Sequence, residues 1–157
     1  MRYYIEDKNC SPLAKDFYYG KYKPTDEPKT EELLNLILTD NDKLRPFYRW
    51  ILNKTILGQD GALAEYTGLP ARKYAEKYPE EFFEYMDFDK SGEKILYWAD
   101  AIGYSGFNQN ESASNLEEVR KNMVKTMNSN CKNCNDGLKN RFDEFSKRCF
   151  LEIKKID

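Results

Sequence analysis

The stretch Asn41–Met86, NDKLRPFYRWILNKTILGQDGALAEYTGLPARKYAEKYPEEFFEYM, decides the fold. Leu44, Phe47, Tyr48, Ile51 and Thr55 recur at three- and four-residue spacing, which makes one buried face of a helix over about residues 43–57. Pro46 falls in the first turn of that helix, where the missing N–H costs little. Trp50 and Leu57 lie off this stripe, with Arg49 and Asn53 between, so the helix is either buried on two sides, the preferred reading, or shows Trp50 to a partner.

Breaker residues divide the remainder of the stretch. Gly58 is read as a left-handed helix end and Asp60 as the cap of a short helix, GALAEYT, closed by Gly68. Pro70 suits the first position of a next helix, with Ala71, Tyr74, Ala75 and Tyr78 on one side. Pro79 restarts the chain, and Glu80 and Glu81 face the positive end of the dipole before Phe82, Phe83 and Met86.

Working outward, residues 1–29 read as an N-terminal arm and loop, with a short helix after Pro12. Tyr3, Tyr4, Tyr18, Tyr19 and Tyr22 crowd this arm. An aromatic cover over the core ranks ahead of a tyrosine-lined ligand groove. Thr30 with Glu31 and Glu32 predicts a helix start, and residues 30–102 form the central run of short helices. Asp89 or Ser91 is expected to cap a helix from Glu93 to Ile102. Residues 103–115, GYSGFNQNESASN, read as an exposed mobile loop. Residues 116–157 read as a C-terminal antiparallel helical hairpin: Leu116, Val119, Met123, Val124 and Met127 on one helix, then Leu138, Phe142, Phe145, Cys149, Ile153 and Ile156 on the other. The expected fold is therefore a single all-α domain over 1–157, an irregular bundle of short helices with helical-repeat-like stacking. No repeat unit of fixed length recurs.

Composition bounds the chemistry. With 15% aromatic residues the chain has the apolar surface to order itself. A net charge of −2, with both signs interspersed, lacks the basic footprint that nucleic acid requires. No apolar run is long enough to span a bilayer. The start MRYYIEDKNC has no apolar leader segment, so the chain as written is expected in the cytoplasm, or outside it if a leader was removed before Met1. There is no histidine, which excludes Ser–His–Asp and Cys–His nucleophile systems and histidine-ligated metals.

Four cysteines remain. Cys131 and Cys134 stand at CxxC spacing, read as structural thiols or a local disulfide. The redox version of that motif needs a strand before a helix, and helices flank it here. Cys149 lies about 22 Å further along a helix at about 1.5 Å per residue, too far for a shared zinc ion. It behaves as a small hydrophobe on the final seam, and Cys10 is the remaining partner for a disulfide. Asp87-Phe-Asp89-Lys-Ser91-Gly92 imitates half of a calcium loop, but its twelfth position is Trp98 rather than an acidic ligand. Of two glycosylation sequons, Asn53-Lys-Thr55 falls inside a packed helix and Asn110-Glu-Ser112 in the loop.

The leading functional expectation is a non-enzymatic protein-interaction or scaffold module with a protein partner. Trp50, Tyr66, Tyr74, Tyr104 and Phe107 are the candidate exposed contacts, because ring anchors dominate binding energy. No catalytic residue, cofactor or metal is assigned. The competing class is a small-ligand binder or a histidine-free carboxylate enzyme with a cleft near Asp60 and Glu65. A third is an acidic, immunity-type neutraliser of a toxin, against which the interspersed charge speaks.

Overall fold

Proline and side-chain caps set where the helices begin. The computed structural model describes residues 1–151, and among them it contains nine α-helices and no strand. These are α1 (Arg2–Ile5), α2 (Pro12–Tyr18), α3 (Pro28–Asn35), α4 (Arg45–Gly58), α5 (Gly61–Lys77), α6 (Pro79–Asp87), α7 (Glu93–Ser105), α8 (Leu116–Asn130) and α9 (Asp136–Phe150). The chain is all-α. Pro12, Pro28, Pro46 and Pro79 all stand in first turns. Asp60 accepts from the N–H groups of Ala62 and Leu63, Asn115 from Glu118 and Asn135 from Leu138, which satisfies otherwise orphaned donors.

Three expected boundaries are corrected. Thr30 does not cap α3, which starts at Pro28; its buried hydroxyl donates to the Thr25 carbonyl and also bonds the Tyr22 hydroxyl. Helix α4 ends at Gly58 as expected, but Gln59 follows in an extended conformation and Gly58 is not left-handed. Before α7 the left-handed residue is Gly92, with φ +72°. Asp89 takes the Lys94 N–H, and Ser91 takes that of Glu93. Both side chains thereby fasten the turn without occupying the cap position.

The largest correction concerns Gly68 and Pro70. They do not make a corner: α5 is one helix with Pro70 inside it. The Ser105 hydroxyl, from the end of α7, enters the backbone ladder at this point. It accepts from the Gly68 N–H at 2.9 Å and donates to the Ala64 carbonyl at 2.6 Å. A hydroxyl thus bonds both members of a donor–acceptor pair that face each other four residues apart in a regular helix. The approach demands glycine, since a Cβ at position 68 would collide with the Ala101 carbonyl oxygen, the Ser105 hydroxyl and the Gly106 nitrogen. The same contact carries α7 on to Ser105, three residues into the expected loop.

Helix α5 is the hub. It packs on α3, α4, α6, α7 and α8, and buries Thr67, Ala71, Tyr74 and Ala75 among them. Below it lies a ring-rich core: Phe82 sits 4.9 Å from Phe145, Phe83 stacks at 5.6 Å on Phe142, and Trp98 touches Tyr74 and Phe82. Each of these buried rings contributes about 2 kcal/mol from desolvation. The α4 stripe Leu44, Phe47, Tyr48, Ile51 and Thr55 is buried as its spacing implies. Helices α8 and α9 pack on each other, and Phe142, Phe145 and Cys149 of the last seam are in the core. Ile153 and Ile156 lie outside the described residues.

Candidate functional site

Phe17 and Tyr18 of the N-terminal arm reach Trp50, and Tyr4 and Tyr18 reach Phe47 beside it. Phe17 meets the Trp50 ring edge-on at 5.9 Å, Tyr18 lies 6.2 Å from it, and Phe47 stacks on its inner side at 5.9 Å. Tyr4 stacks on Phe47, Tyr3 meets Tyr4 at 5.5 Å, and Tyr19 meets Tyr18 at 5.3 Å. One unbroken chain of rings therefore runs from buried Phe47 to solvent, and it ends on Tyr3 and Tyr19, which are 66% and 60% exposed. Such contacts favour offset or edge-on geometry and add about 1 kcal/mol per pair beyond burial.

Three hydroxyl contacts hold this arm in place. The Ser11 N–H donates to the Tyr48 hydroxyl, Tyr22 bonds Thr30, and Tyr66 donates to Asp26 at 2.7 Å. Burial raises the Tyr48 and Tyr22 phenols above their ordinary value, and the bond to Asp26 raises Tyr66. All three therefore stay protonated near neutral pH. Cations stand over the same rings: Lys54 lies 5.9 Å from Trp50, Lys21 5.8 Å from Tyr19 and Lys29 4.9 Å from Tyr22. Lysines thus stand over the outer rings, and Glu27 lies beside the Tyr22 hydroxyl.

The five rings expected as contacts do not converge. Trp50 is half-buried within the aromatic face. Tyr66 is half-buried and spent on Asp26. Tyr104 is exposed, its hydroxyl 3.3 Å from Glu65, while Phe107 packs half-buried on Phe150. Tyr74 corrects the expectation outright, being wholly buried. Its hydroxyl donates to Glu81 at 2.8 Å and accepts from Arg49 at 3.1 Å. Tyr74 shares a side with Ala71 and Ala75, and that side is the core side. Asp60 is a helix cap, and Glu65 is exposed beside Tyr104.

Two buried ionic clusters are not apparent from local pattern. In the first, Arg45 forks onto Glu81 through Nε and Nη2 at 2.9–3.1 Å and donates to the Thr39 carbonyl, while its guanidinium lies 3.9 Å from the Tyr78 ring centre. Arg49 covers Tyr85 at 4.0 Å and reaches Glu81 at 3.4 Å. In the second, fully buried Arg72 binds Glu76 at 2.7 Å, Glu111 at 2.7 Å and the Gly106 carbonyl. Burial works to raise the Glu111 carboxyl, but Arg72, the Asn108 N–H and Asn122 outweigh it and hold the group below the usual range. Glu76 is raised, because burial outweighs its pairing with Arg72. The expected free loop over 103–115 is consequently tied to α5 through Glu111. Asn122 adds a bond from α8.

No protein-family model, curated protein or solved structure matches this chain.

Proposed function

We propose that this chain is a non-enzymatic helical interaction module that docks an acidic protein segment on the aromatic face around Trp50. The observation that carries the reading is the unbroken ring chain Phe47–Trp50–Tyr18–Tyr19, running from core to solvent with lysines over its outer rings. Rigid rings supply contact area at low entropic cost, and they are the commonest interface anchors. Lys21 and Lys54 favour a partner bearing carboxylates, which would speed encounter more than it tightens the complex.

The test is a photo-crosslinking amino acid placed at Tyr19, with a control at exposed Lys139 on α9, in cells that make the protein. The expected result is one discrete adduct from position 19, absent from position 139 and lost when Tyr18 and Trp50 are both changed to alanine. Trp98 is buried, so quenching of the remaining fluorescence by iodide reports Trp50 alone, and the partner should shield it. Equal labelling from both positions, or an adduct indifferent to Tyr18 and Trp50, refutes the reading.

A further inference from the structure

The corner between α8 and α9 holds a third donor beside the CxxC pair. Residues 131–134 leave α8, and Cys131 and Cys134 are joined as a disulfide with Cα atoms 5.7 Å apart. Glu80, in the first turn of α6, reaches this corner from 51 residues away. Its Oε1 lies 3.1 Å from the Cys131 sulfur and accepts the Asn133 N–H at 3.2 Å. The two sulfurs and a Glu80 oxygen all lie within 4.8 Å of one another.

We propose that the reduced Cys131–Cys134 pair and Glu80 form a binding site for a zinc ion, with two thiolates, one carboxylate and a fourth position open to water. Zn²⁺ takes sulfur at about 2.3 Å and carboxylate oxygen at about 2.0–2.2 Å in a tetrahedron, which sets donors about 3.5–3.8 Å apart. A CxxC turn provides two such positions without moving its ends. The third is preset by tertiary structure. Pro79 fixes the start of α6, Asn130 donates to the Glu76 carbonyl at 2.8 Å, and Asn135 caps α9. Asn130 thereby ties the corner to the end of α5, and the Asn133 N–H on Glu80 ties it to the start of α6. Two soft thiolates and one hard carboxylate suit zinc better than calcium or magnesium, which take oxygen ligands only. The other thiols do not compete, since Cys10 and Cys149 are buried in the core.

Loading balances in two steps. A thiol reductant supplies two electrons and two protons, opens the disulfide and leaves two thiols. Zn²⁺ then binds their thiolates and releases two protons to solvent. The site is therefore present in the reduced protein and abolished by oxidation.

Cobalt(II) is the probe. The full chain, reduced with a phosphine and checked by mass for a gain of two hydrogens, is titrated with Co²⁺ and followed by absorbance. The expected result is a sulfur-to-cobalt charge-transfer band with tetrahedral visible bands, saturating at one equivalent and reversed by Zn²⁺. Cys131→Ser abolishes the band, and the oxidised protein shows none. Glu80→Gln weakens binding at least about tenfold, as loss of a direct ligand must exceed the low end of outer-shell effects. Glu84→Gln, one turn further along α6, leaves it unchanged. Thermal melts of the apo variants check folding. A reduced protein without the band, a disulfide that resists the phosphine, or Glu80→Gln binding as well as the parent overturns the proposal.

Discussion

Ser105→Ala tests whether a hydroxyl from α7 makes α5 one helix. The Ser105 oxygen accepts the Gly68 N–H and donates to the Ala64 carbonyl. Removing it deletes two hydrogen bonds, each worth about 1 kcal/mol net, and leaves a donor and an acceptor facing a gap beside buried Gly68. If the ladder closes directly, one bond is regained at the cost of shifting α7. The expected loss is about 2 kcal/mol, which lowers the melting temperature by about 4–8 °C in a chain of this size. Urea unfolding followed by circular dichroism should show a lower midpoint with an unchanged slope. A companion change, Gly68→Ala, gains about 1 kcal/mol of helix propensity but forces a Cβ onto the Ala101 carbonyl and Ser105. Overpacking at about 3 kcal/mol leaves a net cost of about 2 kcal/mol. Because Ser105 is one of the atoms struck, the two changes should be coupled: the double variant should be more stable than their sum predicts, by about 0.5–1 kcal/mol. A Ser105→Ala variant within about 0.5 kcal/mol of the parent, with strictly additive Gly68→Ala, refutes the hydroxyl's role.

The ionic clusters yield two further outcomes. Glu81→Gln strips the shared carboxylate from Arg45 and Arg49 and leaves two largely buried guanidinium groups facing each other's field. It should cost about 3 kcal/mol, read by chemical denaturation, and Tyr74→Phe in the same background should add little. The Glu111 carboxyl sits below its unfolded value, so between the two values the unfolded chain binds more protons. Its contribution is therefore complete above the ordinary carboxylate range and is lost as pH falls through the lowered folded value. Asp87, Glu117 and Asp143, lowered by bonds from Arg141, Arg120 and Lys147 respectively, act in the same direction. Stability measured at decreasing pH should fall below about pH 4.5, and Glu111→Gln should flatten part of that slope.

Much of the fold was legible in short windows. The stripe from Leu44 to Thr55, the proline starts at 12, 46 and 79, and the cap at Asp60 depend on partners within about four residues, so local order reveals them. The aromatic face was half legible: the crowding of tyrosines before residue 23 is plain, but nothing local says that they meet Trp50. Tyr74 could have been placed inside from its own stripe, since it shares a side with Ala71 and Ala75.

What the amino-acid sequence determined by itself is the class of structure and those helix starts marked by Pro12, Pro46, Asp60 and Pro79, because caps, proline geometry and apolar period act over a single turn. Tertiary structure decided the rest. Whether Gly68 and Pro70 break a helix depended on a serine 37 residues away. Whether Arg45 and Arg72 are surface charges or buried anchors depended on Glu81 and Glu111, 36 and 39 residues away. Whether a CxxC corner has a third donor beside it depended on Glu80. Hydrogen bonds and ion pairs of this kind act only across a few ångströms of space, and chain folding, not chain order, sets those distances.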